Sequence, residues 1–212
     1  MRILVYSTFV LCAIAVANAC AVGQEPASNE TLFAQLQGDT TTDKALQQFL
    51  KRTAQSSDAQ KYLAAHLPEQ IFQRPQNNHA LVWANEVYLA GAFHIQEAIP
   101  ALVKWMDQPV GGPEGGTLSS LEHLLPFPAG RALAKIGEPA IPALSDVLKT
   151  GGSRPRWVAC RALNMIGTPR AIRALTDHLG QESDPELKTY IEKVTKGRDT
   201  SAPTTPPSGS LL

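Results

Sequence analysis

Arginine and lysine residues in the second half of the chain are spaced in a way that could form a binding surface. Residues 131–173 contain eight of them against two acidic residues, although the whole chain has no net charge. A local excess of positive charge attracts anionic partners. The alternative is a solvated surface with one arginine used in packing, and the sequence leaves both open. The candidate binding residues in this stretch are Arg154, Arg156, Arg170 and Arg173.

Other residues that could support catalysis or bind a metal do not occur in the patterns that such chemistry needs. The five histidines form neither HExxH nor a pair at helical spacing, and no cysteine pair accompanies them. The glycine-rich segment 111–116 lacks the Lys-Ser/Thr of a phosphate-binding loop. Ser119 and Ser120 lack the GxSxG context of an activated nucleophile. The sequence therefore predicts no catalytic residue, no metal site and no cofactor.

The first nineteen residues are typical of a secretion signal. Arg2 precedes an apolar run over residues 3–16, and Ala17-x-Ala19 places small residues where a signal peptidase cuts. We therefore expect cleavage before Cys20 and export to the periplasm or the extracellular space. Cys20 also stands where bacterial lipoproteins carry their lipid, although Ala17 replaces the usual leucine. Simple cleavage is the favoured interpretation, whereas lipidation of Cys20 would tether the protein to a membrane at the cell envelope.

The basic residues lie within a sequence that repeats about every thirty residues. RALAKIGEPAIPALSDVL at residues 131–148 recurs as RALNMIGTPRAIRALTDHL at 161–179, and LAGAFHIQEAIPALVKWM at 89–106 is a weaker copy. Such a period is typical of proteins in which each unit buries its apolar face only against its neighbours. We predict a pair of amphipathic helices in each unit. The first helix of a pair is expected to end at one of three glycines that keep the same spacing, Gly137, Gly167 and Gly197.

Composition divides the chain into four segments. Residues 1–19 form the signal, and residues 20–38 form a polar tether with a first helix. Residues 39–197 form the repeat domain, which is clearest over 78–180. Residues 198–212 are rich in Pro, Ser, Thr and Gly, so they are predicted to be a disordered tail.

Two local features of the predicted domain can be tested directly. Pro68 is expected to end or restart an amphipathic helix over residues 58–67, because proline lacks the N–H that continues a helix. The polar residues 70–78 are then expected to be a connector. Cys160 lies on an apolar helix face and is expected to be a small buried residue rather than a reactive thiol.

The segment IGEPAIPAL at residues 136–144 resembles the HEAT-like repeats, including the short form of the phycobilisome lyases. In that family an Ile-Gly pair ends the first helix and an Ala-Ile-Pro-Ala-Leu run begins the second. Ile166-Gly167 is followed by a run that matches with one substitution, whereas Phe93-His94 replaces Ile-Gly in the earlier copy. The resemblance implies an all-α, right-handed α-α superhelix, a HEAT/armadillo-like solenoid, of about four to five helical hairpins. It also implies that Arg156 corresponds to the arginine that recurs in the family's first helix.

Repeats of this kind usually act as interaction surfaces, so the resemblance implies an exported, non-catalytic scaffold for protein–protein interaction. The expected partner is a protein, acidic if the basic residues are functional, and not a nucleic acid. The basic patch is expected on a ridge beside the inter-repeat turns, with Trp105 as an anchor if it is exposed. Two alternatives remain: an accessory subunit of an envelope enzyme complex, and a lyase-like enzyme. The export signal disfavours the second, since those lyases act on a cytoplasmic pigment protein. The oligomeric state is left open.

Overall fold

Helices follow one another through the computed structural model, which describes residues 27–38, 41–73, 80–109 and 127–198. No strand occurs within these ranges. Two short 3-10 helices, Gln96–Ala98 and Glu138–Ala140, each lead directly into an α-helix. The α-helices are α1 (Asn29–Leu36), α2 (Thr42–Thr53), α3 (Ser57–Gln73), α4 (Ala80–Ala92), α5 (Ile99–Lys104), α6 (Pro128–Ile136), α7 (Ile141–Thr150), α8 (Ser153–Ile166), α9 (Pro169–Leu179) and α10 (Pro185–Thr195).

Proline and capping residues set where the helices begin. Five helices carry a proline at their first or second position, where the missing N–H removes no intrahelical hydrogen bond. Thr168 caps α9, because its hydroxyl accepts a hydrogen bond from the Ala171 amide at 3.3 Å. Asp184 caps α10 in the same way through its carboxylate. These starts follow from local sequence alone, and the prolines concerned are Pro100, Pro128, Pro142, Pro169 and Pro185.

Residues with positive φ end the first helices of successive units. The three predicted glycines, Gly137, Gly167 and Gly197, have φ values of 83°, 67° and 74°. Glycine adopts such backbone without the steric cost that a Cβ imposes. His94, at the equivalent point after α4, has a φ of 52° and is the one described non-glycine residue with positive φ. The turn of the repeat is therefore kept in this unit even though its glycine is not.

The helices pack in two rows, which confirms the predicted all-α solenoid of helical hairpins. The first-helix row contains α2, α4, α6, α8 and α10, and each of these helices contacts the next. The second-helix row contains α3, α5, α7 and α9, again with neighbours in contact. Each second helix also packs on the first helix of the following unit. Four hairpins result, with α1 packed on α2 and α4 at one end and α10 closing the other.

The closest approach in the first-helix row lies between α4 and α6. A Cβ added to Gly91 would lie 2.8 Å from the Ala132 Cα atom and 3.1 Å from its Cβ atom. Such distances are too short for a real side-chain atom, so this crossing requires glycine on α4 and a small residue on α6. Buried apolar side chains surround the contact on both helices, namely Leu89, Ala90, Ala129 and Leu133.

Helix α3 corrects the expectation that Pro68 would end or restart a helix over residues 58–67. The helix runs from Ser57 to Gln73 with Pro68 inside it, so residues 70–73 of the expected connector are helical, and residues 74–78 lie outside the described residues. Leu67 and Ile71, on either side of the proline, are both fully buried. Their burial stabilises the continued helix by about 1.5–3 kcal/mol each, which offsets the hydrogen bond that proline removes.

The described ranges contain no helix that is both long and apolar enough to cross a membrane. The predicted signal segment 1–19 and the predicted tail 198–212, apart from Arg198, lie outside these ranges.

Candidate functional site

A groove of about 420 Å³ runs between α7 and α9 on the second-helix row. We call it the α7–α9 groove. Short two-residue turns join α7 to α8 and α8 to α9, so the chain reverses twice and α7 and α9 run in the same direction. The start of α7 therefore lies beside the start of α9. Its lining includes Pro142, Ser145, Lys149, Arg170, Arg173 and Asp177.

Three cationic side chains line the groove, and all three are exposed. Arg170 and Arg173 lie at the end where α9 begins, whereas Lys149 lies at the opposite end, near the last residue of α7. Asp177 is the one acidic residue among the groove's lining residues, and it stands nearer the Lys149 end. The two arginines therefore make the first end the more basic one.

Acidic neighbours on the rim only weakly neutralise two of these cations, Arg170 and Lys149. Arg170 Nη1 lies 3.7 Å from Glu138 Oε2, and Lys149 Nζ lies 4.0 Å from Asp146 Oδ1. Both pairs are solvent-accessible, with side-chain exposures of 57% and 35% in the first and 62% and 77% in the second. Exposed pairs of this kind contribute roughly 0–1 kcal/mol. A carboxylate from a partner can therefore compete for the same cations.

Arg156 does not contribute to the groove surface, because it is held by a buried carboxylate. Its Nε and Nη2 atoms donate to the two oxygens of Glu182 at 3.3 and 3.2 Å, and Nη1 donates to the Gly151 carbonyl at 3.0 Å. The Glu182 side chain is only 1% exposed. The pairing links α8 to the segment that follows α9, which is the packing role left open for one arginine by the sequence.

Glu182 joins Arg156 to the floor of the groove. Its Oε2 lies 2.9 Å from Nε2 of His178, a buried groove-lining residue, and its Oε1 accepts from the Asp184 amide at 2.8 Å. Burial alone would raise the pKa of Glu182. The Asp184 amide, His178 and Arg156 outweigh that effect and leave its pKa lowered. The ionised carboxylate therefore holds three groups in place below the groove.

The structure does not bring the four candidate arginines together. Arg154 lies in the first turn of α8, and Arg170 lies just past the other end of that helix. A helix of 14 residues spans about 20 Å, so the two side chains start from opposite ends of α8. The expected single ridge through Arg154, Arg156 and Arg170 is therefore replaced by the groove pair Arg170 and Arg173, with Arg154 remote from both.

Trp105 belongs to a second feature, which we call the aromatic cluster: Phe72, Lys104 and Trp105. The Trp105 indole N–H donates to the Phe72 carbonyl at 2.9 Å, and Lys104 Nζ donates to the same carbonyl at 3.3 Å. Lys104 Nζ also lies 3.5 Å from the centre of the Phe72 ring and 4.8 Å from that of Trp105. Trp105 is half-buried, whereas Phe72 is 47% exposed. The exposed aromatic surface therefore comes mainly from Phe72, which the sequence interpretation had placed in a connector.

Comparison with known proteins identifies the repeats. Residues 128–194, from α6 to the last turn of α10, match the family described as HEAT repeats. The hairpins from α6 to α10 are therefore similar to HEAT repeats. The match does not single out the phycobilisome-lyase form. Searches of curated proteins and of solved structures found no match to the chain.

One further cation of the matched segment, Arg161, is removed from the surface by aromatic packing. Arg161, on α8, is 8% exposed, and its guanidinium carbon lies 3.8 Å from the centre of the Tyr190 ring and 5.5 Å from that of Trp157. Asn164 donates to the Tyr190 hydroxyl at 3.0 Å in the same place. Arg161 thus fastens α10 onto the last hairpin, and the basic excess counted from sequence overstates the charge at the surface.

The cysteines divide between the described and undescribed parts of the chain. Cys160 is fully buried on α8, which confirms the expectation of a small buried residue, and burial raises its pKa to about 12. Cys20, the candidate lipidation residue, lies outside the described residues. Within the described ranges, no three His, Cys, Asp or Glu residues are grouped so that they could hold a metal ion.

Proposed function

We propose that the protein is an exported, non-catalytic module that binds an acidic segment of a partner protein in the α7–α9 groove. HEAT repeats in general mediate protein–protein interaction, and the match over residues 128–194 supports this general role. The observation that carries the specific proposal is that Lys149, Arg170 and Arg173 line one groove in which Asp177 is the one acidic lining residue. Exposed cations at a concave site steer and orient an anionic partner.

The buried network beneath the groove supports this role. Arg156, Glu182 and His178 connect α8, α9 and the segment after α9 through hydrogen bonds of 2.9–3.3 Å. These contacts fix the helix that carries Arg170 and Arg173 relative to its neighbours. A rigid display of cations loses less conformational entropy on binding than a flexible one.

The test is charge reversal with a matched control on the same fold. The probe is a fluorescent ten-residue glutamate peptide, and its binding to the full-length protein is measured by fluorescence anisotropy at several salt concentrations. Arg170→Glu combined with Arg173→Glu should abolish binding, whereas Lys188→Glu combined with Lys193→Glu, on exposed positions of α10, should not. Binding by the wild type should fall steeply with salt, because exposed charges are screened within about 10 Å at 0.1 M.

Arg154→Glu separates the groove from the ridge that the sequence suggested. It removes an exposed arginine of the original candidate set without touching the groove. We expect it to bind the peptide like the wild type. Equal losses from Arg154→Glu and from the α10 control would show that net charge, and not the groove, is responsible.

Export is a separate part of the proposal and rests on the Arg2 start, the apolar run and the Ala17-x-Ala19 site. Amino-terminal sequencing of the mature protein should begin at Cys20. A mature protein that keeps Met1 overturns export, and a lipid-modified Cys20 makes the module a membrane-tethered one.

A further inference from the structure

We propose that the partner segment is an extended peptide that carries an apolar side chain about six residues away from a pair of acidic residues. The acidic pair binds at the Arg170 and Arg173 end of the α7–α9 groove, and the apolar side chain packs on the aromatic cluster. This inference rests on the proposed function, because it assumes that the groove binds an acidic protein segment.

The two binding features lie on the same face of the molecule. Leu102, Leu144 and Leu175 are fully buried at equivalent positions of α5, α7 and α9. Lys104 stands two residues after the first of these leucines and Arg173 two residues before the last, and both are exposed. On a helix these offsets point away from the buried position, at about 200° and 160° from it. A single extended chain can therefore contact both.

Phe72 distinguishes this face from the rest of the surface. Four large apolar residues in the described ranges are strongly exposed: Phe72, Leu81, Tyr88 and Met165. Leu81, Tyr88 and Met165 all lie on α4 or α8, in the first-helix row, and Phe72 is the member of this set in the second-helix row. Lys104 Nζ covers one side of this ring, 3.5 Å from its centre, and the exposed remainder is apolar surface that an anchor side chain can bury.

The spacing of the two features follows from helix packing. The aromatic cluster joins α3 to α5, and the groove lies between α7 and α9, so their midlines are two helix spacings apart, about 16–20 Å. Trp105 stands three residues beyond Leu102, and Arg173 stands two before Leu175, which adds an axial offset of about 7.5 Å. The resulting distance is about 18–21 Å. An extended chain covers it in about six residues at roughly 3.3 Å each.

Asp146 explains why the acidic residues should be confined to one end of the peptide. It is exposed on α7, between the aromatic cluster and the groove. A partner carboxylate placed over α7 would be repelled by it, whereas a neutral residue would not. The part of the partner peptide between its apolar side chain and its acidic pair is therefore expected to be uncharged or to carry a hydrogen-bond donor.

The test compares peptides that share composition but differ in spacing. One series has a leucine six residues from a Glu-Glu pair, with glycine and serine between, made in both chain directions. A second series moves the leucine to two residues from the pair, and a third replaces it by serine. In one chain direction, the six-residue peptide should bind the full-length protein about tenfold more tightly than its two controls, since burial of a leucine side chain is worth at least that factor.

Two protein variants locate the anchor. Phe72→Ser should reduce the affinity of the six-residue peptide to that of the serine peptide, whereas Met165→Ser, a matched change of an exposed apolar residue on α8, should leave it unchanged. If all peptides bind with equal, salt-sensitive affinity, the groove binds acidic segments but the anchored spacing is wrong. If no peptide binds, or if binding survives Arg170→Glu combined with Arg173→Glu, the proposed function fails and this inference fails with it.

Discussion

Glu86 is a buried carboxyl group that, among the described residues, has a hydrogen bond to only one of its two oxygens. It is 1% exposed on α4, and its Oε1 accepts a hydrogen bond from Gln37 Nε2 at 2.6 Å. Its Oε2 has no hydrogen-bond partner in the described part of the chain. Burial raises the pKa of Glu86 from 4.5 to about 7, although the Gln37 hydrogen bond acts in the opposite direction. The protonated form is therefore the one that the fold favours.

Glu86→Gln is expected to change how stability depends on pH. Between pH 4.5 and about 7 the native state keeps a proton that the unfolded chain has released, so the wild type loses about 3 kcal/mol of stability as pH rises through that window. The glutamine variant lacks this loss. Denaturant unfolding at pH 4.5, 6 and 8 measures the difference, with the exposed Glu97→Gln as control. A variant with the wild-type pH slope would contradict the assignment.

Glu182 has the opposite dependence on pH. Its pKa is lowered, so its stabilising contribution is present above the ordinary carboxyl range and is lost as the pH falls through the lowered value. Glu182→Ala leaves Arg156 and His178 without their shared partner and should cost about 3 kcal/mol at pH 7. Thermal unfolding of this variant beside Glu186→Ala, an exposed change on α10, tests the expectation. Equal melting midpoints for the two variants would show that the network is dispensable.

At the scale of helices, the contact between α4 and α6 depends on the absence of one methyl group. Gly91→Ala places a Cβ atom 2.8 Å from the Ala132 backbone, so the two helices must separate. Overpacking of this kind costs roughly 1–3 kcal/mol. Gly180→Ala is the matched control, because no atom lies within 4 Å of its Cβ position and its φ of −70° suits alanine. A destabilisation of the same size in both variants would contradict the contact.

The pairing of helices was predictable because it depends on local signals. The glycines that end α6 and α8 and the prolines that start α7 and α9 act within one or two turns, so sequence alone locates them. His94 was harder to predict, because no glycine at this position signals its φ of 52°. Pro68 was predicted wrongly for a related reason: burial of Leu67 and Ile71 outweighs the local effect of proline.

The sequence predicted which arginines could form the candidate site, but not which of them lie together. The sequence identified the arginines, and two of them, Arg170 and Arg173, do line one groove. The sequence could not show that Arg154 and Arg170 lie far apart. Their separation arises because Arg154 lies in the first turn of α8 and Arg170 lies beyond its last residue. The burial of Arg156 against Glu182 and of Arg161 against Tyr190 arises from contacts 26 and 29 residues apart in the chain. Periodicity within one helix carries no information about such contacts.

For the molecule as a whole, stability is shared along the stack of hairpins. Leu144 and Leu175 are both fully buried between helices of successive units. Leu144→Asp or Leu175→Asp places an unpaired charge in that core and should unfold the repeat region, at a cost of several kcal/mol. Circular dichroism and thermal melting measure the loss, and Thr176→Asp, at an exposed neighbouring position, is the control. A wild-type melting curve for either leucine variant would show that the repeat assignment is wrong.

The attachment of α10 changes where such a stack should begin to come apart. The terminal unit of a linear array has neighbours on one side only, so it normally frays first. Here the Trp157 indole N–H donates a hydrogen bond to the Asp184 carboxylate at 3.3 Å. Asn164 donates to the Tyr190 hydroxyl, and the Arg161 guanidinium packs on the Tyr190 ring. These side chains of α8 hold the closing helix at its start and at its middle. Backbone amides of α10 are therefore expected to exchange with solvent deuterium as slowly as those of the interior hairpins, and a protease should find no early cleavage point between residues 185 and 195.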